Sequence, residues 1–455
     1  MDINAEKKYF FETLRFFHET QWLHNIPVID ILTKASLDAI PKEWIKHLEM
    51  LENEELNNLV VEKTIKSDWP DSLKTYVTKC KEVNRLPPIS ILSSVKLPQH
   101  FKIGLSQKKQ HEIMHLAHLV DVQCKRHDIQ TIIDLGAGLG YVCQMLYYLH
   151  NYQILGLERD KENINRAFTR QKKLFPESLT KVKYVHCDIT CDSVDTIESI
   201  LQQKFHDVAN VCLIGLHACG DLSTSASTIF CKMKSAKLFI LISCCYHKLL
   251  ISKSIQTPLQ EKQYFHNFPT SNCLRETIAA HNFDIGQFLR IPFLRLACQE
   301  SADKWHGMTQ EKHDDHSFHV LARAVLQLYS QQNNYVLKKK VRKGTRKSQC
   351  SNFQTYVKDS LLRYDFVPNA DETDRVVTRE KMEKDLTQIW EEQSKSFKAV
   401  EIYTGLQMML QLPAESLILQ DRLCWLHEQN LETVIVPVMD KCISPRSYAI
   451  VSYKC

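Results

Sequence analysis

Residues 132–141 read IIDLGAGLGY. An apolar run meets Asp134, and glycines follow at Gly136, Gly138 and Gly140. Glycine reaches positive φ and lets a ligand lie against backbone. Such a loop can hold a phosphate, a dinucleotide, or a nucleoside with a different tail. A P-loop needs Gly-Lys-Ser/Thr after four spacers. Position 141 is Tyr141 and no such lysine follows, which argues against a nucleoside triphosphate. Gly136 and Gly138 fit the start of the dinucleotide fingerprint, but the third glycine comes one residue early. Asp134 discriminates further. A carboxylate there repels a pyrophosphate and suits a ligand with a cationic amine.

Two more acids follow the same logic. Glu158 ends the next apolar run, eighteen residues past Gly140, where an acid can take both hydroxyls of a ribose. Asp188 ends the third run, where a carboxylate can meet an adenine amino group. Three acids at three consecutive strand ends, with the glycines, describe S-adenosylmethionine. The expected cofactor residues are Asp134, Gly136, Gly138, Gly140, Glu158 and Asp188, with His217 at the edge of the same pocket.

The fourth and fifth strand ends carry LHACGDL (216–222) and SCCYHK (243–248). Many amino-group methyltransferases place Asn/Asp-Pro-Pro-aromatic at the fourth end, and this chain does not. The two loops direct His217, Cys219, Asp221, Cys244, Cys245 and His247 towards one mouth. Three roles compete. His217 can act as a base towards a methyl acceptor, since histidine titrates near neutral pH. A cysteine can add to a cytosine ring as nucleophile. Two histidines and two cysteines can ligate zinc, but the spacing is unusual and no metal is assigned. The plain alternative is that Cys244 and Cys245 are small buried hydrophobes. The catalytic candidates are His217, Cys219, Asp221, Cys244 and His247.

These residues need a scaffold that sets strand ends side by side. TIIDLG, YQILGLE, VKYVHCD, VCLIGLHACGD and KLFILISCCYH read as strands, with helical stretches between them. Continuous apolar strands alternating with helices imply a parallel sheet covered on both faces. TVIVPVMD and YAIVSYK return to strand character at the end, separated by the seven residues KCISPRS, which fit a hairpin and not a crossover helix. The expected fold class is α/β: a seven-strand Rossmann-like sheet of five parallel strands and a closing antiparallel pair. The expected segments are a helical N-terminal unit over 1–83, a linker over 84–99 marked by NRLPPISIL, core strands 1–5 over 100–249, a large helical insertion over 250–428 between strands 5 and 6, and strands 6–7 over 429–455.

Composition bounds the rest. The chain has 455 residues, too many for one ordinary core. Formal net charge is +5, so any nucleic-acid surface must be a local patch. The start MDINAEKKYFFETLRFF carries charge inside its apolar stretch and resembles no signal peptide, and no apolar run approaches a membrane span. The sixteen cysteines are then expected as reduced thiols in cytoplasm or nucleus. No Cys-x-x-Cys occurs, which argues against a zinc ribbon.

Several stretches together resemble one family. SQKKQHEI (106–113), DLGAGLGYV, GLHACGDLS, SCCYHKL, RLACQE (295–300) and SPRSYAIV are similar to the methyltransferase-like protein 25 family, from about residue 100 to the end. The resemblance implies a class I methyltransferase sheet and S-adenosylmethionine as cofactor. It places Lys108, Lys109 and His111 in a motif before the first strand, against the same mouth. The HxCG and CCxH loops also resemble those of a tRNA 2'-O-methyltransferase family, which favours RNA as acceptor. A family paralogue is named for a ribosomal RNA adenine dimethylase domain. Those enzymes use Asn-Leu/Ile-Pro-aromatic where this chain has His-Ala-Cys-Gly, so that label does not carry over.

KKKVRKGTRK (338–347) has seven Lys/Arg in ten residues, from Lys338 to Lys347. It can bind a phosphate backbone, direct nuclear import, or be a solvated loop. Phe353 and Tyr356 are the nearby aromatics. Arg290 and Arg295 flank IPFL as candidates to hold an anionic acceptor. The expected activity is S-adenosylmethionine-dependent methyl transfer to RNA. A protein acceptor and a cofactor-binding scaffold without catalysis are the competing readings.

Overall fold

The computed structural model describes residues 2–89, 98–206, 208–256, 261–341, 345, 350, 352–368 and 378–454. It divides into two compact units. One comprises residues 1–17, 83–301 and 411–455; the other comprises 18–82 and 302–410.

The first unit holds the sheet. Its parallel strands are β1 (Thr131–Leu135), β2 (Gln153–Glu158), β3 (Val182–His186), β4 (Val211–Ala218) and β5 (Ala236–Ser243). A small hairpin follows, β6 (Ile251–Gln256) with β7 (Glu261–Phe265). The second unit carries another hairpin, β8 (Tyr335–Lys339) with β9 (Tyr364–Pro368). β10 (Glu432–Pro437) and β11 (Tyr448–Tyr453) return to the main sheet. The seven-strand order is β10-β11-β5-β4-β1-β2-β3, with β11 antiparallel to both its neighbours. This is the expected class I sheet. β1 lies between β2 and β4, so Asp134 faces Gly156 on one side and Ile214 on the other.

The buried runs explain the layering. Successive strand residues point to opposite faces. Ile132, Ile154, Ile214 and Ile240 pack on one face with Leu116 and Val120 of helix Gln107–Arg126 and with Met145 and Leu146 of helix Tyr141–His150. Ile133, Leu155, Leu213 and Phe239 pack on the other face with Leu201 of helix Val194–Lys204 and Phe230 of helix Leu222–Lys232. Phe230 and Phe239 stack with ring centroids 5.0 Å apart. Burying each large apolar side chain contributes about 1.5–3 kcal/mol. The sheet is therefore a rigid base, and its carboxyl-end loops are what the sequence is free to specialise.

The second unit packs on helices Asn53–Glu62, Asp71–Glu82, Gln310–Gln332 and Phe397–Met409. A cluster including Val325, Tyr329, Phe353, Tyr356 and Leu386 forms part of its core.

Two expectations differ from this picture. The first helix, Ile3–Glu19, has most of its length in the sheet unit, while 18–82 pack with 302–410; the segments 1–83 and 250–428 are thus each shared between units. The segment 250–428 is also not wholly helical, since β6–β7 and β8–β9 interrupt it. The strand ISKSIQ places isoleucines only at 251 and 255, a period-2 signal too weak to stand out over six residues. Residues 90–97 of the expected linker lie outside the described residues.

Candidate functional site

The glycine loop leaves β1 and enters helix Tyr141–His150. Gly136, Gly138 and Gly140 all have positive φ, at 88°, 56° and 70°. Gly140 has a second reason to lack a side chain: a Cβ there would collide with the Tyr184 ring. The Tyr184 hydroxyl donates to the Gly140 carbonyl at 3.3 Å and accepts from the Gln144 amide at 3.0 Å. Tyr184 thus backs the loop from β3, a role no motif announced.

Asp134 is 2% exposed. The Cys143 thiol donates to its Oδ2 at 3.2 Å. Burial pushes the Asp134 carboxyl up to about 7; the Cys143 hydrogen bond opposes this and the Glu158 charge adds to it. A buried carboxyl held near neutrality is well suited to a cationic ligand, whose charge would restore its ionised form. Glu158 closes β2. Its Oε2 accepts from the Gly138 amide at 2.9 Å and its Oε1 from the Asp160 amide at 2.9 Å. An ionised carboxylate has about four acceptor positions, so both oxygens can still receive ribose hydroxyls. Asp188 stands two residues beyond β3 and is exposed. The acids and glycines therefore fit the donor set that an adenosyl group with an amino-acid tail requires.

At the end of β4, His217 takes a left-handed φ of 63°. Its Nε2 lies 3.0 Å from Glu112 Oε2. The His217 side chain is 39% exposed, whereas that of Glu112 is 2% exposed. Glu112 Oε1 accepts from the Ser444 hydroxyl at 2.7 Å, and Lys108 Nζ lies 3.9 Å away. Burial opposes charge on Glu112, but the hydrogen bonds from His217 and Ser444 and the charges of His217 and Lys108 outweigh it, so its carboxyl sits below the usual glutamate range. The motif before β1, the end of β4 and the turn before β11 meet on this one acid. His111 turns to the same region, its Nε2 accepting from the Asp440 amide at 3.0 Å. Lys109 is exposed at the helix start, where its amide is capped by Ser106.

The β4 and β5 loops are fastened to each other. Cys245 O accepts from the amides of Gly220 and Lys248 at 3.2 and 3.0 Å. Asp221 is committed to this fastening: its Oδ2 accepts from the Leu250 amide at 2.8 Å and its Oδ1 from the Asn267 amide group at 2.7 Å. Cys219 Sγ lies 2.8 Å from Cys244 Sγ, and Cys244 Sγ lies 3.5 Å from Cys245 Sγ. His247 stands apart from that trio in its bonding, with Nδ1 3.2 Å from Cys298 Sγ. Beneath β5, buried Arg422 donates to the Ser243 hydroxyl at 2.6 Å and lies over the Tyr246 ring. All described cysteines are free thiols.

The candidate anion-binding groups separate. Arg295 acts electrostatically on His247 together with Lys248 and Arg446. Arg290 instead donates to the Glu261 carbonyl at 3.0 Å on β7. Lys338 and Lys339 end β8, and Lys340 pairs with Asp365 at 2.6 Å. Residues 342–344, 346 and 347 of the basic run lie outside the described residues. Phe353 and Tyr356 are core residues, not an exposed stacking platform. Phe353 stacks on Trp390 with centroids 4.3 Å apart, and both aromatics of the pair 353/356 are buried. Among the described residues no helix is long and apolar enough to cross a membrane.

Residues 108–251 match the family model described as a methyltransferase domain. The chain is 27% identical over 297 residues to mouse probable methyltransferase-like protein 25, covering 64% of this chain and 45% of the relative. The human protein of that name is 29% identical over 262 residues, covering 57% and 39%. The chain thus spans less than half the length of these curated relatives. Among solved structures, the methyltransferase domain of METTL16 is 13% identical, with a TM-score of 0.24 and 44% of this chain and 79% of that chain covered. Residues 108–251 match a methyltransferase domain and lie on a class I sheet, and the chain is similar to the proteins named probable methyltransferase-like protein 25.

Proposed function

We propose that the chain transfers a methyl group from S-adenosylmethionine to an RNA acceptor. The observation that carries the cofactor is buried Asp134 beside three left-handed glycines, with Glu158 bonded to the loop they form. Bound S-adenosylmethionine supplies an electrophilic methyl group. In this reading Asp134 holds the cationic amine, Glu158 the ribose hydroxyls, and Asp188 the adenine amino group. The loop glycines let the ligand approach the backbone.

Methyl transfer is an in-line displacement that depends on orientation. His217 is the exposed member of the His217–Glu112 pair, so it faces the acceptor and takes its proton as the new bond forms. Glu112 orients the ring and stabilises the imidazolium. Asp221 positions the loops and does not meet substrate. Cys219, Cys244 and His247 lie at the same mouth. An addition mechanism through Cys244 is disfavoured, because its sulfur is buried against those of Cys219 and Cys245 and away from the acceptor.

RNA is favoured by the cations at the mouth: Lys108 beside Glu112, and Lys248, Arg295 and Arg446 around His247. Such a set can meet a phosphate backbone without help from the segment 338–347. A protein acceptor remains the competing substrate. The test is calorimetric titration of the chain with S-adenosylmethionine and, separately, NAD, followed by transfer of a labelled methyl group to total RNA and to protein. Saturable binding of the sulfonium alone with label in RNA is the expected result. Binding of NAD instead overturns the cofactor, and label found only in protein overturns the acceptor.

A further inference from the structure

Three thiols from two loops converge at the ends of β4 and β5. The sulfurs of Cys219, Cys244 and Cys245 lie within 4.8 Å of one another. We propose that these cysteines form a zinc site, which goes beyond the methyl-transfer reading and does not depend on it.

The frame around the cluster is rigid in a way that buried apolar cysteines do not need. Gly220 separates Cys219 from Asp221, and a Cβ at Gly220 would sit 2.6 Å from the Lys248 carbonyl oxygen. Glycine is what lets the two loops come this close. The Cys245 carbonyl then accepts from both Gly220 and Lys248, and the Asp221 carboxylate ties the β4 loop to Leu250 and Asn267. These bonds hold the two loops together before any ion arrives, so binding has mainly to part the Cys219 and Cys244 sulfurs from 2.8 Å to the roughly 3.8 Å of ligands about 2.3 Å from a tetrahedral zinc. Thiolate sulfur is a soft donor that selects zinc, copper(I) and iron–sulfur centres, and zinc accepts such ligands without redox chemistry.

Charge also fits. Three thiolates around a dication leave a net charge of about −1. Exposed Lys248 follows three residues after Cys245 on the same loop and can offset this charge. Each cysteine that binds releases its proton to water, with no oxidant or reductant required. Among the described residues this group offers three ligands. The fourth tetrahedral position falls to water or to a substrate heteroatom, the arrangement of zinc sites that keep one position open. The sequence hides the site because one ligand is 25 residues from the next and the other two are adjacent, unlike any Cys-x-x-Cys pattern.

The experiment uses the full chain, stripped with chelator and reloaded with zinc, with no S-adenosylmethionine present. Elemental analysis should find one zinc per chain. Cobalt(II) loading should give a thiolate-to-metal charge-transfer band in the near ultraviolet. Cys219→Ser and Cys245→Ser should each lose the band and most of the metal, while exposed Cys191→Ser keeps both. If a serine variant does not fold, alkylation of the wild-type chain decides the matter. Zinc should protect Cys219, Cys244 and Cys245, mapped by mass spectrometry. Metal-free wild type with no zinc-dependent protection overturns the proposal, as does full metal retention in both serine variants. A Cys219–Cys244 disulfide recovered from zinc-loaded protein also overturns it. Because S-adenosylmethionine is absent throughout, none of these results depends on whether the chain transfers methyl groups.

Discussion

His217 Nε2 lies 3.0 Å from Glu112 Oε2, although 105 residues separate them in the chain. The exposed imidazole and the buried carboxylate divide the work: one meets solvent, the other is anchored by Ser444. His217→Asn is expected to lower kcat for methyl transfer by about 10²-fold or more with cofactor affinity unchanged. Glu112→Gln should lower kcat by about tenfold, and the double variant should be little worse than His217→Asn alone, since both act through one ring. Full activity in His217→Asn would remove it as the proton acceptor.

Asp134 makes cofactor affinity depend on pH. Its folded carboxyl titrates near 7, above the ordinary aspartate value, because it is buried. A cationic amine prefers the ionised form. Affinity for S-adenosylmethionine should therefore rise about tenfold between pH 6 and pH 8. The stability of the free protein moves the other way. Between the unfolded value near 4 and the folded value near 7 the folded state binds the extra proton, so stability falls as pH rises through that window. Asp134→Asn should abolish cofactor binding, flatten the pH dependence of stability, and leave the free protein at least as stable above pH 7. Calorimetry and thermal melts across this range check all three.

Gly140 is constrained twice, by its φ of 70° and by the Tyr184 ring. Gly140→Ala should cost about 1–3 kcal/mol of stability and weaken cofactor binding. Adding Tyr184→Ala should recover part of the binding loss, because it removes the collision and leaves the backbone strain. Chemical denaturation and calorimetry on the single and double variants separate the two contributions. No difference between Gly140→Ala and wild type would show that the loop can move away from β3 freely.

RNA binding should respond to the mouth and to the basic run separately. Arg295→Gln should weaken binding and reduce the slope of log affinity against log salt by about 1, as for one lost phosphate contact. Neutralising Lys338 to Lys340 should reduce it further only if that run also meets RNA. Fluorescence anisotropy with single-stranded RNA at several salt concentrations reads both. An unchanged slope in Arg295→Gln would take that residue out of the acceptor surface.

The parts of this protein legible in the chain are those whose partners are close in sequence or repeat with a simple period. The apolar runs around Ile132, Ile154, Ile214 and Ile240 predict a covered parallel sheet, and the short link before Tyr448 predicts its antiparallel closure. Asp134, the glycines and Glu158 stand out because a ligand approaching strand ends demands those residue types at those places. The weakly patterned hairpins β6–β7 and β8–β9 do not stand out, and Phe353 and Tyr356 look like surface aromatics until Trp390 packs on Phe353 and Phe353 stacks with Tyr356. The second tier of the site is also silent. Glu112 looks like one charge on a helix until Ser444, 332 residues on, donates to it. Tyr184, Arg422 and the meeting of Cys219 with Cys244 and Cys245 are likewise decided by packing. Residue type and local spacing are enough to say which groups can contact a cofactor. Which groups orient those residues depends on hydrogen bonds between distant segments, and these exist only once burial has brought the segments together.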